Sequence, residues 1–522
     1  MARMRTRVAA AMILGLALIV PGFVPGFVPG LESVAVAPAG MAGAAPLEGP
    51  AEAVPWSPSA SEETGAEGPA TATPWTGAPA QAEVYATQVS IVPGQRIDLH
   101  VSTPASTYRL RVYREAATED GRRVELVQYR RDGRKGVDQR RLIVMDRTAT
   151  PRANWMVTDS IRTTKAWKPG VYTILALDSR NTRSSAIVVV RTPEVSSTAP
   201  LLVVPVLTYQ AYNDWGGASS YLDARNVRSY RVSFDRPYVA GPGLWWTTRD
   251  SKLAGFIAAN SDGLQYTTDY DLSISPPPVF PEYTVLMRHT EYASKTMYDW
   301  VEDGVRVKGV MGLANFGANA LYWQIRLEPP TAGANLRTAP REIVIYRNDS
   351  ATIDHTPRDP VVGPTTTTRW RDAPVGRPEG VLLGAQFRAK LGSGSDDRWP
   401  MGVTRSMPWS LLADTSWTAG TTSVANLMTG EGDEILQGPE GTTTIEILSS
   451  EAVSTTNEIV HPGSTLRTFP SGGRVFNAST LGWASLLPPA EFDPGVSDAS
   501  FGTLTRNILA WVAGRPTITP GH

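Results

Sequence analysis

Three short stretches of this chain carry side chains able to do chemistry. Tyr209, Gln210, Tyr212 and Asn213 end or follow the apolar run LLVVPVLT; His289, Glu291 and Tyr292 follow EYTVLMR; Asn315, Asn319 and the Tyr322-Trp323 pair end or follow VKGVMGLA. Each run reads as a short buried strand, and open sheets bind ligands in the loops at the C-terminal ends of such strands. Phenols, a carboxylate, an imidazole and neutral amides together suit a hard metal ion. A phenol ordinarily keeps its proton up to a pH of about 10. It ionises at neutral pH only beside a strong positive charge, and that charge would also acidify a bound water. Glu291 is then a ligand or a general base, and His289 orients water or carries protons. Plainer readings exist for each: His289 as a cap on the backbone after a strand, Glu291 as the partner of Arg288 or Lys295, and residues 209–217 as an aromatic corner over a sheet edge. Convergence at three loop ends favours chemistry.

The elements that must position these residues begin near Val84. TQVSIV, QRIDLHVS, TYRLRVYR, VELVQY, RRLIVM, GVYTILALDS and AIVVVRT alternate or run apolar over a few residues, with Pro93-Gly94, Asp132-Gly133 and Pro169-Gly170 between them. Regular short strands with turn signals predict an immunoglobulin-like β-sandwich over residues 83–195. From residue 196 to 517 strand-like and helix-like stretches alternate. SKLAGFIAANSD and SKTMYDWVEDG read as helices, the second with Ser294 as N-cap and an α_L-type end at Gly304, and SFGTLTRNILAWVAG closes the chain as an amphipathic helix. Such alternation predicts an α/β catalytic domain, a mostly parallel sheet with helices on both faces. Residues 325–450, rich in Thr, Gly and Pro, read as an insertion over the pocket. Gly216 and Gly217 allow a tight turn or a close approach to a ligand.

Composition narrows the classes. The 522 residues carry a net charge of −1 with both signs interspersed, so no basic stripe argues for nucleic acid and no polybasic patch for a membrane surface. Cysteine is absent, which excludes disulfides, thiolate sites, cysteine nucleophiles and lipoprotein attachment. The five histidines, His100, His289, His355, His461 and His522, argue against a three-histidine zinc site. Arg3, Arg5 and Arg7 precede the apolar stretch AAAMILGLALIV, the pattern of a signal peptide over residues 1–30 with a cut between Gly22 and Ala45. The stretch is shorter than the ~20 residues a spanning helix needs. The expectation is a secreted, extracellular protein with no stable membrane insertion after cleavage. Residues 31–82, mostly Ala, Pro, Gly, Ser, Thr and Glu, read as a disordered linker.

TYQAYNDWGGASSY, HTEYASKTMYDWVEDG, LANFGANALYWQIRLEP, RWRDAPVGRPEGVLLGAQF and GGRVFNASTLGWASLL, in that order, resemble the catalytic region of the N,N-dimethylformamidase large-subunit family from about residue 200 to 515. VSIVPGQRIDLHVS, VYRE and KPGVYTILALDSR resemble the domain that precedes it. The resemblance implies a catalytic domain similar to class I glutamine amidotransferases. It also implies a mononuclear, ferric iron held by two tyrosines and a glutamate, with a small amide-like substrate hydrolysed beside it. Carried onto this chain, Glu291 in His-x-Glu-Tyr is the carboxylate ligand and Tyr212 in Ala-Tyr-Asn one phenolate. Tyr172 in Gly-Val-Tyr is the other, with Tyr209 as the competing assignment. His289 and Asn319 correspond to positions that orient substrate or water, and Glu440 after Gly-Pro to a further acidic residue. The family motif reads His-Asp-Glu-Tyr-Trp, and here Thr290 and Ala293 replace the aspartate and the tryptophan. The first change removes a partner for His289 and the second reshapes the pocket wall, while the ligand positions stay.

The expectation is therefore a metal-dependent amide hydrolase, with an oligomer or a small partner subunit left open. The alternative is a non-catalytic secreted protein that binds cell-surface carbohydrate through Trp215, Trp245, Trp246 and Trp323. Fitting a serine hydrolase is harder, because no Gly-x-Ser-x-Gly elbow occurs and neither Ser219 nor Ser220 has an evident histidine partner.

Overall fold

The structure is a computed structural model. It describes residues 81–515 apart from 118–122, 141–142, 146–149, 222–227, 240–245, 247–249, 331–338, 355–363, 393–396 and 489–498. The expected signal peptide and all but the last two residues of the expected linker lie outside the described residues, as do His355, His522 and Trp245.

Two sheets pack face to face over the first hundred described residues. One holds Glu83–Ala86, Arg96–Ser102 and Asp159–Arg162; the other holds Ser90–Ile91, Arg183–Val190, Gly170–Asp178, Thr107–Ala117 and Arg123–Lys135. Along Gly170–Asp178 burial alternates residue by residue after Tyr172, the period-2 pattern of a strand with one face on a core. Ile97, Leu99 and Val101 from the first sheet meet Leu110, Val112, Tyr172, Ile174 and Val188 from the second.

The remaining chain is organised by a nine-stranded sheet. Its spatial order is Gln265–Thr268, Leu201–Val204, Tyr283–Leu286, Gly312–Asn315, Arg474–Asn477, Gly463–Thr468, Thr443–Ser449, Arg398–Val403 and Ser423–Thr429. The first five strands pair in parallel and the last five antiparallel, with Arg474–Asn477 shared. Leu201, Leu202, Val203 and Val204 are all fully buried, which is why this strand is apolar throughout instead of alternating. A smaller sheet of Arg231–Ser233, Glu342–Val344, Trp323–Glu328 and Tyr292–Ser294 packs beside it, and Ala385–Lys390 pairs with Glu431–Ile435.

The expected α/β domain with a mostly parallel sheet and helices on both faces is overturned. Strands take 37% of the described structure and helices 19%, and the sheets are mixed. Residues 325–450 are the reason. They were expected to form an insertion over the pocket, yet they extend the central sheet with antiparallel strands turned at Gly430 and, just beyond, Gly441, both at positive φ. Helices are few and mostly short. Lys295–Glu302 begins at Ser294, whose hydroxyl accepts from the Met297 amide, a cap worth about 1 kcal/mol. It does not stop at Gly304: the chain runs on as a wide turn over Asp303–Val307. The closing helix is Ala499–Val512. Among the described residues no helix is long and apolar enough to cross a membrane.

Candidate active site

Leu201–Val204, Tyr283–Leu286 and Gly312–Asn315 are neighbours and parallel, so their C-terminal ends share one edge. Beyond Val204 the expected strand gives way. Pro205 precedes a helix, Val206–Tyr212, so Tyr209, Gln210 and Tyr212 stand on that helix instead of a loop. The turn after it is gripped by the buried Arg236, which donates to the carbonyls of Gln210 (3.2 Å), Asn213 (2.7 Å), Trp215 (3.0 Å) and Ala218 (2.8 Å). Gly216 and Gly217 sit at φ 82° and 86°, and a Cβ on Gly216 would fall 2.4 Å from Cβ of Pro151. The turn brings Tyr221 back against Tyr212, with ring centroids 4.0 Å apart.

Both phenols reach one carboxylate. Tyr212 Oη donates to Glu291 Oε1 at 3.1 Å, and Tyr221 Oη donates to Glu291 Oε2 at 3.2 Å. Tyr292 Oη donates in turn to Tyr221 Oη at 2.9 Å. Glu291 is held at its backbone, where the carbonyl accepts the amides of Tyr322 (2.8 Å) and Trp323 (3.0 Å). A second carboxyl group, Glu431, lies close enough that Glu291 raises its proton affinity. Asn319 Nδ2 is 3.5 Å from Glu431 Oε1, while Glu431 Oε2 and Asn319 Oδ1 are buried with no hydrogen-bond partner among the described residues. Asn319 adopts φ 57°, held by its amide bond to Asp433 Oδ1 at 2.8 Å. Asn477 Nδ2 reaches Asp433 Oδ2 at 3.4 Å. Lys390 stands directly across the strand pair from Glu431, and its charge bears on both Glu431 and Glu291.

Burial dominates the electrostatics. It pushes Glu291 up to about 7 against the pull of Arg347 and the two phenols, and Asp433 up to about 7 as well. Glu431 is held well above the usual carboxylate range by burial first and Glu291 next. Tyr212 and Tyr221 are pushed well above the ordinary phenol value by burial and then by Glu291. The two phenols therefore keep their protons at neutral pH unless a cation displaces them. Among the described residues no group of three or more His, Cys, Asp or Glu side chains could hold a metal ion. Tyr212, Tyr221 and Glu291 form a donor set of another kind, all oxygen, the chemistry of hard cations.

The residues singled out from sequence fall into two groups. Tyr212, Glu291 and Asn319 are brought together, with His289 beside them, its Nδ1 3.8 Å from Glu291 Oε1. Tyr172 stands apart in the sandwich core: its hydroxyl donates to the Lys168 carbonyl at 2.8 Å and its ring stacks on Trp167. Tyr209 donates to the Asp250 carboxylate. Glu440 is exposed in a turn beyond the Glu431–Ile435 strand. Asn213 organises the turn, accepting the Trp215 and Val239 amides at 3.2 Å each. Trp215, Trp246 and Trp323 are buried and offer no open stacking platform.

Tyr221, Glu431, Asp433 and Arg347 were missed. Glu431 and Asp433 did leave a trace in the sequence. In GEGDE they alternate with glycine, which puts two acids on one face of a strand.

A family model described as "N,N-dimethylformamidase beta subunit-like, C-terminal" matches residues 109–496 of the 522. No curated protein matches the chain. Among solved structures, a β-glucosidase from Listeria innocua aligns at 9% identity over 21% of this chain and 16% of its own, with a TM-score of 0.13. A Paenibacillus sp. cycloisomaltooligosaccharide glucanotransferase, complexed with cycloisomaltoheptaose, aligns at 10% identity over 50% of this chain and 33% of its own, with a TM-score of 0.12. This chain thus spans a third or less of either solved chain, and likenesses so low carry no argument about fold or activity. The family match covers both the sandwich strands from Arg109 onward and every residue of the Tyr212–Tyr221–Glu291–Glu431 cluster, and on that ground the chain belongs to the N,N-dimethylformamidase beta subunit-like family.

Proposed function

We propose that this chain is a metal-dependent hydrolase of carbon–nitrogen bonds in small amides, of the large-subunit dimethylformamidase type, with a mononuclear ferric ion held by Tyr212, Tyr221 and Glu291. The observation that carries this reading is two phenols hydrogen-bonded to one buried carboxylate beside a second, incompletely bonded carboxyl group. Four acidic oxygen groups crowded away from water are hard to explain by packing alone, since buried polar atoms are normally paired. Bound there, the ion would supply Lewis acidity toward a carbonyl oxygen and would acidify water.

The protein's own groups have complementary roles. Glu431, whose Oε2 meets no hydrogen-bond partner among the described residues and which a cation bound beside it would leave ionised, is the base that takes a proton from water and returns it to the departing amine. Asn319 holds Glu431 only loosely, so its Nδ2 can turn to a substrate carbonyl while the bond to Asp433 keeps its backbone in place. His289 carries protons at the edge of the cluster. In this reading the enzyme is secreted, acts outside the cell on a small amide-like substrate, contacts no nucleic acid, and works alone or with a small partner subunit.

Elemental analysis of protein purified without added metal tests the proposal. Stoichiometric iron is expected in the wild type, together with amine release from simple formamides, and loss of the iron in Glu291→Ala with the fold intact. A Glu291→Ala protein that kept its full metal content would reject the assignment.

A further inference from the structure

Arg347 is a buried cation in the wall of the site, and its charge bears on Glu291. Its guanidinium carbon lies 3.9 Å from the Tyr221 ring centroid and 4.9 Å from that of Trp323. Its Nη2 donates to Tyr292 Oη at 2.5 Å and to Ser220 Oγ at 3.1 Å. Tyr292 Oη donates to Tyr221 Oη, which donates to Glu291 Oε2. One guanidinium therefore touches both the ring face of the second phenol and the hydrogen-bond chain that ends at its oxygen. The backbone of Arg347 is at φ 54°, the left-handed region that a side chain of this size rarely adopts. Strain of that kind persists where the surroundings over-determine a functional residue.

A planar, delocalised cation suits the position. It can stack on an aromatic face while its fork of N–H groups reaches two hydroxyls, which the point charge of lysine cannot do together. We propose that Arg347 is the positioning residue for Tyr221, fixing the plane of its ring and the direction of its hydroxyl so that this oxygen and that of Tyr212 face the same point. The inference rests on the reading of Tyr221 as a ligand in the site proposed above. A merely space-filling arginine would leave the Tyr221 ring ordered by Tyr212 and the backbone alone.

The test uses the full chain with 3-fluorotyrosine placed at position 221, followed by fluorine NMR of the metal-free protein. The wild type should show the signal of one fixed ring. Arg347→Gln should shift and broaden it, and Arg347→Lys, which keeps the charge without the fork, should do so less, in proteins whose circular dichroism is unchanged. A wild-type signal in the Gln and Lys variants would overturn the proposal, and should Gln fail to fold, the Lys variant decides. In a second arm each protein is loaded with ferric iron and its visible phenolate band recorded. The band of Arg347→Gln should lose the contribution of one phenol while that of Tyr212 remains, and an unaltered band would also overturn the proposal. If the wild type shows no band yet the fluorine signal responds as expected, the metal reading falls and the positioning role of Arg347 stands.

Discussion

Tyr172 and Tyr221 are both tyrosines folded into β-rich interiors, and they differ in what their hydroxyls meet. Tyr172, in the sandwich, donates to a backbone carbonyl four residues away and stacks on Trp167, so its polar end is satisfied locally and its ring packs. Tyr221, at the edge of the nine-stranded sheet, donates to a buried carboxylate seventy residues distant and accepts from another phenol. Raised proton affinity does not separate them, since burial pushes Tyr172 up to about 12 as well. The partner separates them. A phenol that ends on a carbonyl is a core residue with a handle, whereas one that ends on an acid shared with a second phenol sits where charge is expected to change.

Glu431→Gln should have the largest effect. It removes the base without touching the three proposed ligands, so turnover should fall by about 10²–10⁴-fold with metal content unchanged, measured by amine release and elemental analysis on the same sample. Next come Tyr212→Phe and Tyr221→Phe, each expected to weaken metal binding by at least about a hundredfold in competition with a chelator. Tyr209→Phe, whose hydroxyl serves Asp250, should be milder. Similar metal retention in Tyr221→Phe and Tyr172→Phe would erase the distinction between the two regions.

A smaller effect concerns pH. Asp433 ionises at about 7 in the folded metal-free protein against an ordinary 3.8, so the folded state binds its proton more tightly than the unfolded one. Its contribution to stability is therefore full below about 4, declines as pH rises to about 7, and is flat above that. Chemical denaturation between pH 4 and 8 should show Asp433→Asn losing up to about 1.4 kcal/mol per pH unit of the wild-type slope. Tyr172→Phe should do least, costing about 1 kcal/mol of stability for one lost hydrogen bond and leaving metal uptake intact.

What could be read from the chain followed the strength of local signals. LLVV, too apolar to face water, and Ser294, three residues before the amide it caps, are each decided by near neighbours. The helix after Pro205 was hidden because its residues continue the apolar run, and four β-branched or aliphatic residues lead into it without a cap. Glu291 stood in a recognisable motif and Tyr212 beside it in kind. Tyr221 and Arg347 lie in Ser- and Asp-containing connections, and Glu431 opens a short Gly-containing strand, so their value depends on which strands pair. Pairing of Ala385–Lys390 with Glu431–Ile435, and of Glu342–Val344 with Trp323–Glu328, is a long-range outcome that no local pattern dictates.

The indole of Trp215 donates to Glu83 at 2.8 Å and meets Trp155 edge-on at 5.8 Å, three residues past the end of the helix that carries Tyr212. The sandwich is thus a brace for the candidate site and not a detachable passenger. A fragment starting near residue 196 would leave a bare tryptophan peg where its socket had been, and the two phenols would lose their common aim.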